Sequence, residues 1–295
     1  MELTKINGNT YYINAPTNIG IYSYKNKNCM LIDTGKNNTA ARKIEQVILE
    51  NGLHPKYIVN THSHTDHCGG NNYFKNTYTG CITYTSSREK LYMESIQMFP
   101  TMIYTCLPPK QLEEDCKDVQ VDFILEYGMN KINDEKFTVL DVRGHSTEHI
   151  AILTPDRVCF LGDSIFSDYT LDKYPFPLLF NIQYQFDTLE SIKDIDADYF
   201  VISHSDGVIN KQQLEKLIVR NTENIHRYLD DIVELLEKPL TKEDLLENIV
   251  ILNDIKMDYR EYYLNMSSLS AFLAYLQDNG KIKNSLENGK MYYYV

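Results

Sequence analysis

The sequence predicts a mixed α/β domain followed by a mostly helical C-terminal one, and three features lead there. Short apolar runs punctuated by Asn and Gly flank an amphipathic stretch in the N-terminal part, a strand-helix-strand rhythm. Strand signals return between KFTVLDVRG and YFVIS. From Lys211 onward apolar residues recur at helical spacing instead. The expected division is a mixed α/β part over 1–207 and a helical part over 208–295. There is no internal repeat and no low-complexity tract.

In chain order, YYIN, IGIYSY and CMLIDTG read as strands, the third delivering Asp33 to a strand end. Residues 39–51 read as a helix with Ala40, Ile44, Val47 and Ile48 on one face and Gly52 as its stop. KYIVN is a short buried strand leading into THSHTDHCGG, Thr61 to Gly70, where Gly69 and Gly70 are expected to let the chain turn freely. A short helix, the strand CITYT and a helix from Ser86 to Met98 follow. Residues 99–128 read as an excursion, either the wall of a pocket or a helical surface insertion. HIAILT and VCFLGD, joined at Pro155-Asp156, form a hairpin ending at Asp163. Residues 164–187 are expected as a long aromatic loop, and YFVIS delivers His204.

The C-terminal part opens with a helix over 211–237, which Pro239 ends. Thr241 caps a second helix, and SSLSAFLAYLQD forms a third that stops at Asn279-Gly280. A hairpin about Asn288-Gly289 closes the chain, so the module is expected to be winged-helix-like.

The 295 residues are 43% hydrophobic and 24% charged, an ordinary globular composition. The net charge of −12 disfavours nucleic acid and anionic membranes as partners. MELTKINGNT lacks the apolar core of a signal peptide and no apolar run spans a bilayer, so a cytoplasmic location is expected. The six cysteines show no C-x-x-C spacing and are expected to be reduced.

His62, His64, Asp66 and His67 fall within six residues. Imidazole is the commonest transition-metal side-chain ligand and Asp adds a hard oxygen. Such a cluster cannot converge from a regular helix but can from a loop leaving a strand. Asp33, His145, Asp163 and His204 each also lie just past an apolar strand signal. Strand ends at one sheet edge gather side chains from distant sequence, so these residues are expected to share one site.

The H-x-H-x-D-H run at His62, His64, Asp66 and His67, followed in order by His145, Asp163 and His204 and preceded by Asp33 in LIDTG, resembles the metallo-β-lactamase superfamily over about residues 1–207. The resemblance implies a four-layer αβ/βα sandwich with a binuclear site at one edge of the paired sheets. It assigns His62, His64 and His145 to one metal, Asp66, His67 and His204 to a second, and Asp163 to both. It implies two divalent ions, Zn by default with Fe or Mn as alternatives, since N and O ligands without Cys suit all three. Two cations about 3.5–4 Å apart lower the pKa of a shared water toward ~7. Asp66 is then also the catalytic residue that orients that water or takes its proton. Asp33, with Thr61, is expected behind the ligands, steadying the His-rich loop. His149 matches a structural position of the family's G-H-x-x-x-H loop.

The implied activity is hydrolysis of a small-molecule ester or thioester, as in glyoxalase II-like members. The alternatives are an RNA or DNA phosphodiesterase and a mononuclear iron persulfide dioxygenase. Residues 208–295 carry 11 Lys and Arg against 14 Asp and Glu, and 267–278 carries no base at all, which argues against nucleic acid. Tyr104, Tyr174, Phe176 and Phe180 are candidate pocket-lining residues. His54 and His226 read as surface or packing residues, and Cys68 as a buried, inert thiol. Tyr292–Tyr294 reads as an edge strand packed on its own domain, a homodimer contact being the alternative.

Overall fold

The computed structural model describes residues 1–295. Seven strands form a first sheet in which spatial order follows chain order: β1 (Leu3–Asn7), β2 (Thr10–Ile13), β3 (Ile19–Ser23), β4 (Asn28–Ile32), β5 (His54–Val59), β6 (Ile82–Thr85) and β7 (Phe123–Ile124). The first four pair antiparallel, and from β4 onward the pairing is parallel. The parallel crossovers carry α1 (Asn38–Glu50), α2 (Thr65–Cys68), α3 (Asn71–Thr77), α4 (Ser87–Met93) and α5 (Met98–Tyr104).

A second sheet is built from β8 (Gly128–Ile132), β9 (Glu135–Asp141), β10 (Ile150–Leu153), β11 (Val158–Gly162), β12 (Tyr199–Ile202) and β13 (Val208–Ile209), in the order β13-β12-β11-β10-β9-β8. Its β11 and β12 run parallel. Between them lie α6 (Asp168–Lys173) and α7 (Ile182–Ser191).

Period-two alternation sorts the side chains into layers. Met30, Ile32, Val139, Ile150, Ile152, Phe160 and Val201 meet between the sheets. Ile19, Ile21, Cys29 and Leu31 point the other way, into a cluster with Ala41, Ile44, Val47 and Ile48 of α1. On the far side Ala151, Cys159, Leu161, Phe200 and Ile202 belong to a cluster with helices of the second half. The result is helix, sheet, sheet, helix, the four-layer sandwich expected from the resemblance. At Gly20 the sheets approach closely: a Cβ there would lie 2.5 Å from the Phe160 ring.

The C-terminal part consists of α8 (Lys211–Leu235), α9 (Lys242–Leu252) and α10 (Tyr259–Asp278), then the hairpin β14 (Lys283–Glu287) and β15 (Lys290–Tyr294). Asn210 opens α8 with a reciprocal capping box to Gln213, and Asp258 does the same for α10 with Glu261. Tyr293 bridges back to Leu240, so the tyrosine strand packs on its own module. These elements share one buried cluster with the second sheet: Leu161 and Phe200 belong to it together with Leu214, Tyr228, Leu269 and Phe272.

Several local expectations change. The helix expected over 86–98 ends at Met93, and a second helix starts only at Met98, with Pro100, which has no amide hydrogen to give, in its first turn. The stretch 164–187 is not one long loop: Ser167 and Asn181 cap α6 and α7 there. The third C-terminal helix starts at Tyr259, well before Ser267. Strands β1, β7 and β8 carry too little apolar alternation to stand out. Phe176 is a core residue, buried against Tyr228 and Phe272 with ring centroids 4.8 and 5.2 Å away.

Gly69 and Gly70 also serve a different purpose from the one expected. Both have ordinary helical φ, −63° and −85°. They allow close approach: a Cβ at Gly69 would sit 1.9 Å from the Lys36 carbonyl oxygen, and one at Gly70 2.3 Å from that of Thr34. Backbone cannot yield as a side-chain tip can. We expect Gly69→Ala to lose at least about 2 kcal/mol in chemical denaturation, the upper range for overpacking. Wild-type stability in that variant would contradict the tight seam between the 34–36 turn and α2.

Candidate functional site

Five segments leave the two sheets at one edge and bring their polar residues together. Asp33 follows β4, residues 60–67 follow β5, residues 142–149 join β9 to β10, Asp163 follows β11 and His204 follows β12. The Ile150 amide donates to the Thr61 carbonyl at 3.0 Å and fastens one loop to the other. Asp33 adopts a left-handed conformation, φ 65°, which aims its carboxylate back beneath the His-rich loop. Gly162 has φ 60°, and a Cβ there would lie 2.4 Å from the His149 ring.

The seven ligand candidates gather into two overlapping groups. Nε2 of His62 and Nε2 of His145 each lie 3.0 Å from Nδ1 of His64. Oδ2 of Asp66 lies 3.6 Å from Nε2 of His67 and 3.3 Å from Nε2 of His204. Oδ2 of Asp163 stands between the groups, 3.3 Å from His67, 3.4 Å from His204 and 3.6 Å from His145. Within each trio His62–His64–His145, His62–His67–Asp163 and Asp66–His67–His204, the ligand atoms are mutually within 4.8 Å.

The hydrogen bonds behind these residues decide which imidazole nitrogens face inward. Nδ1 of His145 donates to the Leu178 carbonyl at 2.8 Å, and Nδ1 of His204 to that of Pro16 at 2.7 Å. Nδ1 of His67 donates to Oδ2 of Asp33 at 2.7 Å. With Nδ1 engaged in this way, each ring turns its Nε2 toward the centre. Nε2 of His67 and Oδ1 of Asp163 are buried without any hydrogen-bond partner. Lone pairs and carboxylate oxygens facing one another over 3–4 Å repel unless a cation or a proton lies among them. The residues present fit a metal site on that ground.

Electrostatics divides the site in the same way. Burial depresses His62, and carries His64 and His145 down to about 4. Burial acts downward on His67 too, but Asp163, Asp66 and Asp33 together hold it well above the ordinary value. Asp163 is the main cause that raises His204 to about 11. Burial alone would raise Asp66 and Asp163; His67 and His204 outweigh it and keep both carboxyls low.

The supporting residues read from the sequence fall where expected. Asp33 accepts from the Thr61 amide and hydroxyl, both at 2.9 Å, besides His67. His149 accepts the Asp163 amide at 3.0 Å on Nε2 and stacks on His62. Cys68 is buried, and burial pushes its thiol well up, so it is inert. His226 stacks on Phe186. Tyr104 packs on Tyr263 of α10, while Tyr174 and Phe180 are exposed.

Three supports escape a reading of the sequence. Asn60 and Asn71 exchange hydrogen bonds beneath the loop, and Asn60 with Thr34 holds the His67 carbonyl. Arg260 of α10 pairs with Glu114, which accepts the Thr65 hydroxyl at 3.0 Å, so a C-terminal helix reaches the His-rich loop in two steps. Glu89 of α4 is fully buried between the two histidine loops. None of these is marked by spacing; a Glu or Asn in a polar stretch normally faces water.

Two packed sheets with helices outside, carrying imidazoles and carboxylates fit for metal at one edge, define a metal-binding αββα sandwich. The family model of the metallo-β-lactamase superfamily matches residues 12–204, and the chain belongs to that superfamily. A hydroxyacylglutathione hydrolase of Pectobacterium carotovorum subsp. carotovorum (strain PC1) is 21% identical over 223 residues, which cover 75% of this chain and 74% of that protein. Among solved structures, a metallo-β-lactamase family protein of Thermus thermophilus superposes with a TM-score of 0.71 at 19% identity, covering 97% of this chain and 99% of that one. A β-lactamase domain protein of Burkholderia ambifaria superposes with a TM-score of 0.75 at 16% identity, covering 99% and 93%. No helix is long and apolar enough to cross a membrane.

Proposed function

We propose that the protein is a binuclear metallohydrolase that cleaves a small-molecule thioester or ester. His62, His64 and His145 would hold one divalent cation and Asp66, His67 and His204 the other, with Asp163 touching both and Zn the default metal. The observation that carries this reading is the position of Asp163 Oδ2, within 3.6 Å of nitrogens from both groups. The hydroxyacylglutathione hydrolase relative supports a thioester as the first substrate class. When bound, such a cation pair supplies Lewis acidity and lowers the pKa of a shared water toward ~7.

The chain's own residues supply the rest. Asp66 is the most exposed of the ligand carboxylates, its side chain 38% accessible against 8% for Asp163. It is thus the one placed to meet water and substrate, and its carboxylate can hold a proton during turnover. Phe99 of α5 packs against the His64 ring at 4.8 Å and gives the site an apolar wall. Glu114, Arg260, Tyr104 and Tyr263 join that wall to α10. We take 1–207 as the catalytic domain and 208–295 as a winged-helix-like appendage that closes the site rather than reads nucleic acid. Its balance of 11 − 14 = −3 fits that role.

Metal quantification joined to a screen of thioesters, lactones, phosphodiesters and persulfides tests the reading. Two equivalents of metal with ester or thioester turnover are expected. One equivalent of iron with oxygen uptake would replace the reading with a persulfide dioxygenase.

The two halves should also differ in their proton linkage. His64 and His145, at about 4, are already bare at pH 7, so cation uptake there displaces no proton from either ring. His67 and His204 lie above the ordinary value, His204 at about 11, so a cation on their side must displace protons. Its affinity therefore rises with pH through the neutral range, more steeply than that of the three-histidine group. Calorimetric titration in buffers of different ionisation enthalpy separates the two steps. Equal proton release from both would refute the assignment.

A further inference from the structure

We propose that Glu89 is a positioning residue that clamps the two histidine loops in register for metal binding; the proposal rests on the metal-site reading above. Its side chain, on α4, is fully buried yet belongs to neither ligand group. One oxygen, Oε2, accepts from the Ser63 amide at 3.0 Å and the Ser63 hydroxyl at 2.6 Å. The other, Oε1, accepts from the hydroxyls of Ser146 at 2.8 Å and Thr147 at 3.0 Å, and from the Glu148 amide at 2.8 Å. Ser63 stands between His62 and His64, and Ser146 follows His145 directly. A single carboxylate thus holds both loops of the three-histidine group, one on each oxygen.

The chemistry singles out a carboxylate. All five partners donate, and a carboxylate is the side chain that offers acceptors on both of its terminal atoms. Glutamine has the same shape but one acceptor. Turned either way, its NH2 group would face a backbone amide, of Ser63 or of Glu148, which cannot reverse its polarity as a hydroxyl can. A glutamine at this position could therefore hold one loop and would repel the other. The helix is fixed to the second loop independently, since Glu148 accepts from the Ser87 hydroxyl and the Arg88 amide at 2.9 and 2.6 Å. The expected loss in E89Q is one of relative placement between the loops, with α4 itself retained.

Cobalt(II) titration of the metal-stripped, full-length protein reads that placement directly, through the visible absorption of the bound ion and its affinity. We expect E89Q to bind Co2+ about 10–100-fold more weakly, the usual cost of losing support behind metal ligands, and with a displaced visible band. The double variant S146A and T147A removes two donors and leaves both amides paired; it should fold and show a severalfold loss in the same direction. If E89Q does not fold, the double variant decides. Wild-type affinity and band shape in every folded variant, even with a lowered melting temperature, would make Glu89 merely structural and overturn the clamp. Failure of the unmodified protein to take up Co2+ would instead overturn the metal-site reading, and the clamp with it.

Discussion

Asp66→Ala is expected to remain folded and to lose at least about a thousandfold in kcat/KM, within the range for removing a positioned acid–base group. Asp66 occupies the first turn of the four-residue α2, where a carboxylate complements the helix dipole. Its side chain is partly exposed, and the Thr17 hydroxyl reaches its Oδ2 only at 3.4 Å. Little buried structure depends on it, so the cost to folding is small. The chemical cost is large, because the same oxygen faces both His67 and His204. Removing it strips one group of its only carboxylate other than Asp163 and takes the more exposed carboxylate from the centre. Kinetics on whichever ester or thioester the screen identifies, with a thermal melt alongside, checks both halves. A variant that keeps full activity would sink the mechanism; one that unfolds would show that Asp66 is structural.

What can be read from the chain follows from how each residue announces itself. His62, His64, Asp66 and His67 stand out because four ligand types in six positions have no packing explanation. Met30, Ile32, Cys29 and Leu31 sort between two layers by strict alternation, and the sandwich follows from such strands. Glu89, Asn60 and Asn71 carry no such mark. Their role depends on which loops tertiary packing lays against them, and one residue in isolation cannot reveal that. Gly69 stands out for the wrong reason: glycine signals a special backbone angle or a missing Cβ, and only the proximity of the Lys36 carbonyl tells which. Phe176 misleads because an aromatic between prolines reads as a loop residue, while Tyr228 and Phe272, far along the chain, build the core that buries it. The joint between the two parts is similarly obscure in sequence, since the cluster containing Leu161 and Phe272 crosses it.

Asp33 tests the support beneath the ligands and carries the largest expected effect on stability. It is 2% exposed, and both of its oxygens are engaged: Oδ1 by the Thr61 amide, Oδ2 by the Thr61 hydroxyl and by Nδ1 of His67. Asp33→Ala leaves a buried amide and a buried imidazole N–H without an acceptor. The cost should be about 3–5 kcal/mol, the range for breaking a buried pair from one side. Asp33→Asn is the more informative change. Asparagine tolerates the left-handed φ of 65° that this position requires. Its carbonyl can still accept the Thr61 amide, so most of the stability should survive. Its NH2 group, however, would then face His67 and ask Nδ1 to accept. Without the Asp33 charge to favour its protonated form, the ring meets that demand by keeping its single hydrogen on Nε2, the atom a cation at the centre needs bare. One hydrogen, held on one ring nitrogen, would thus empty the Asp66–His67–His204 group while sparing the three-histidine group. We expect D33N to bind one equivalent of cation where the unmodified protein binds two, and imidazole NMR to show His67 protonated on Nε2. Retention of both equivalents at unchanged affinity, with Nδ1 still protonated, would mean that Asp33 supports the loop but does not set the ring.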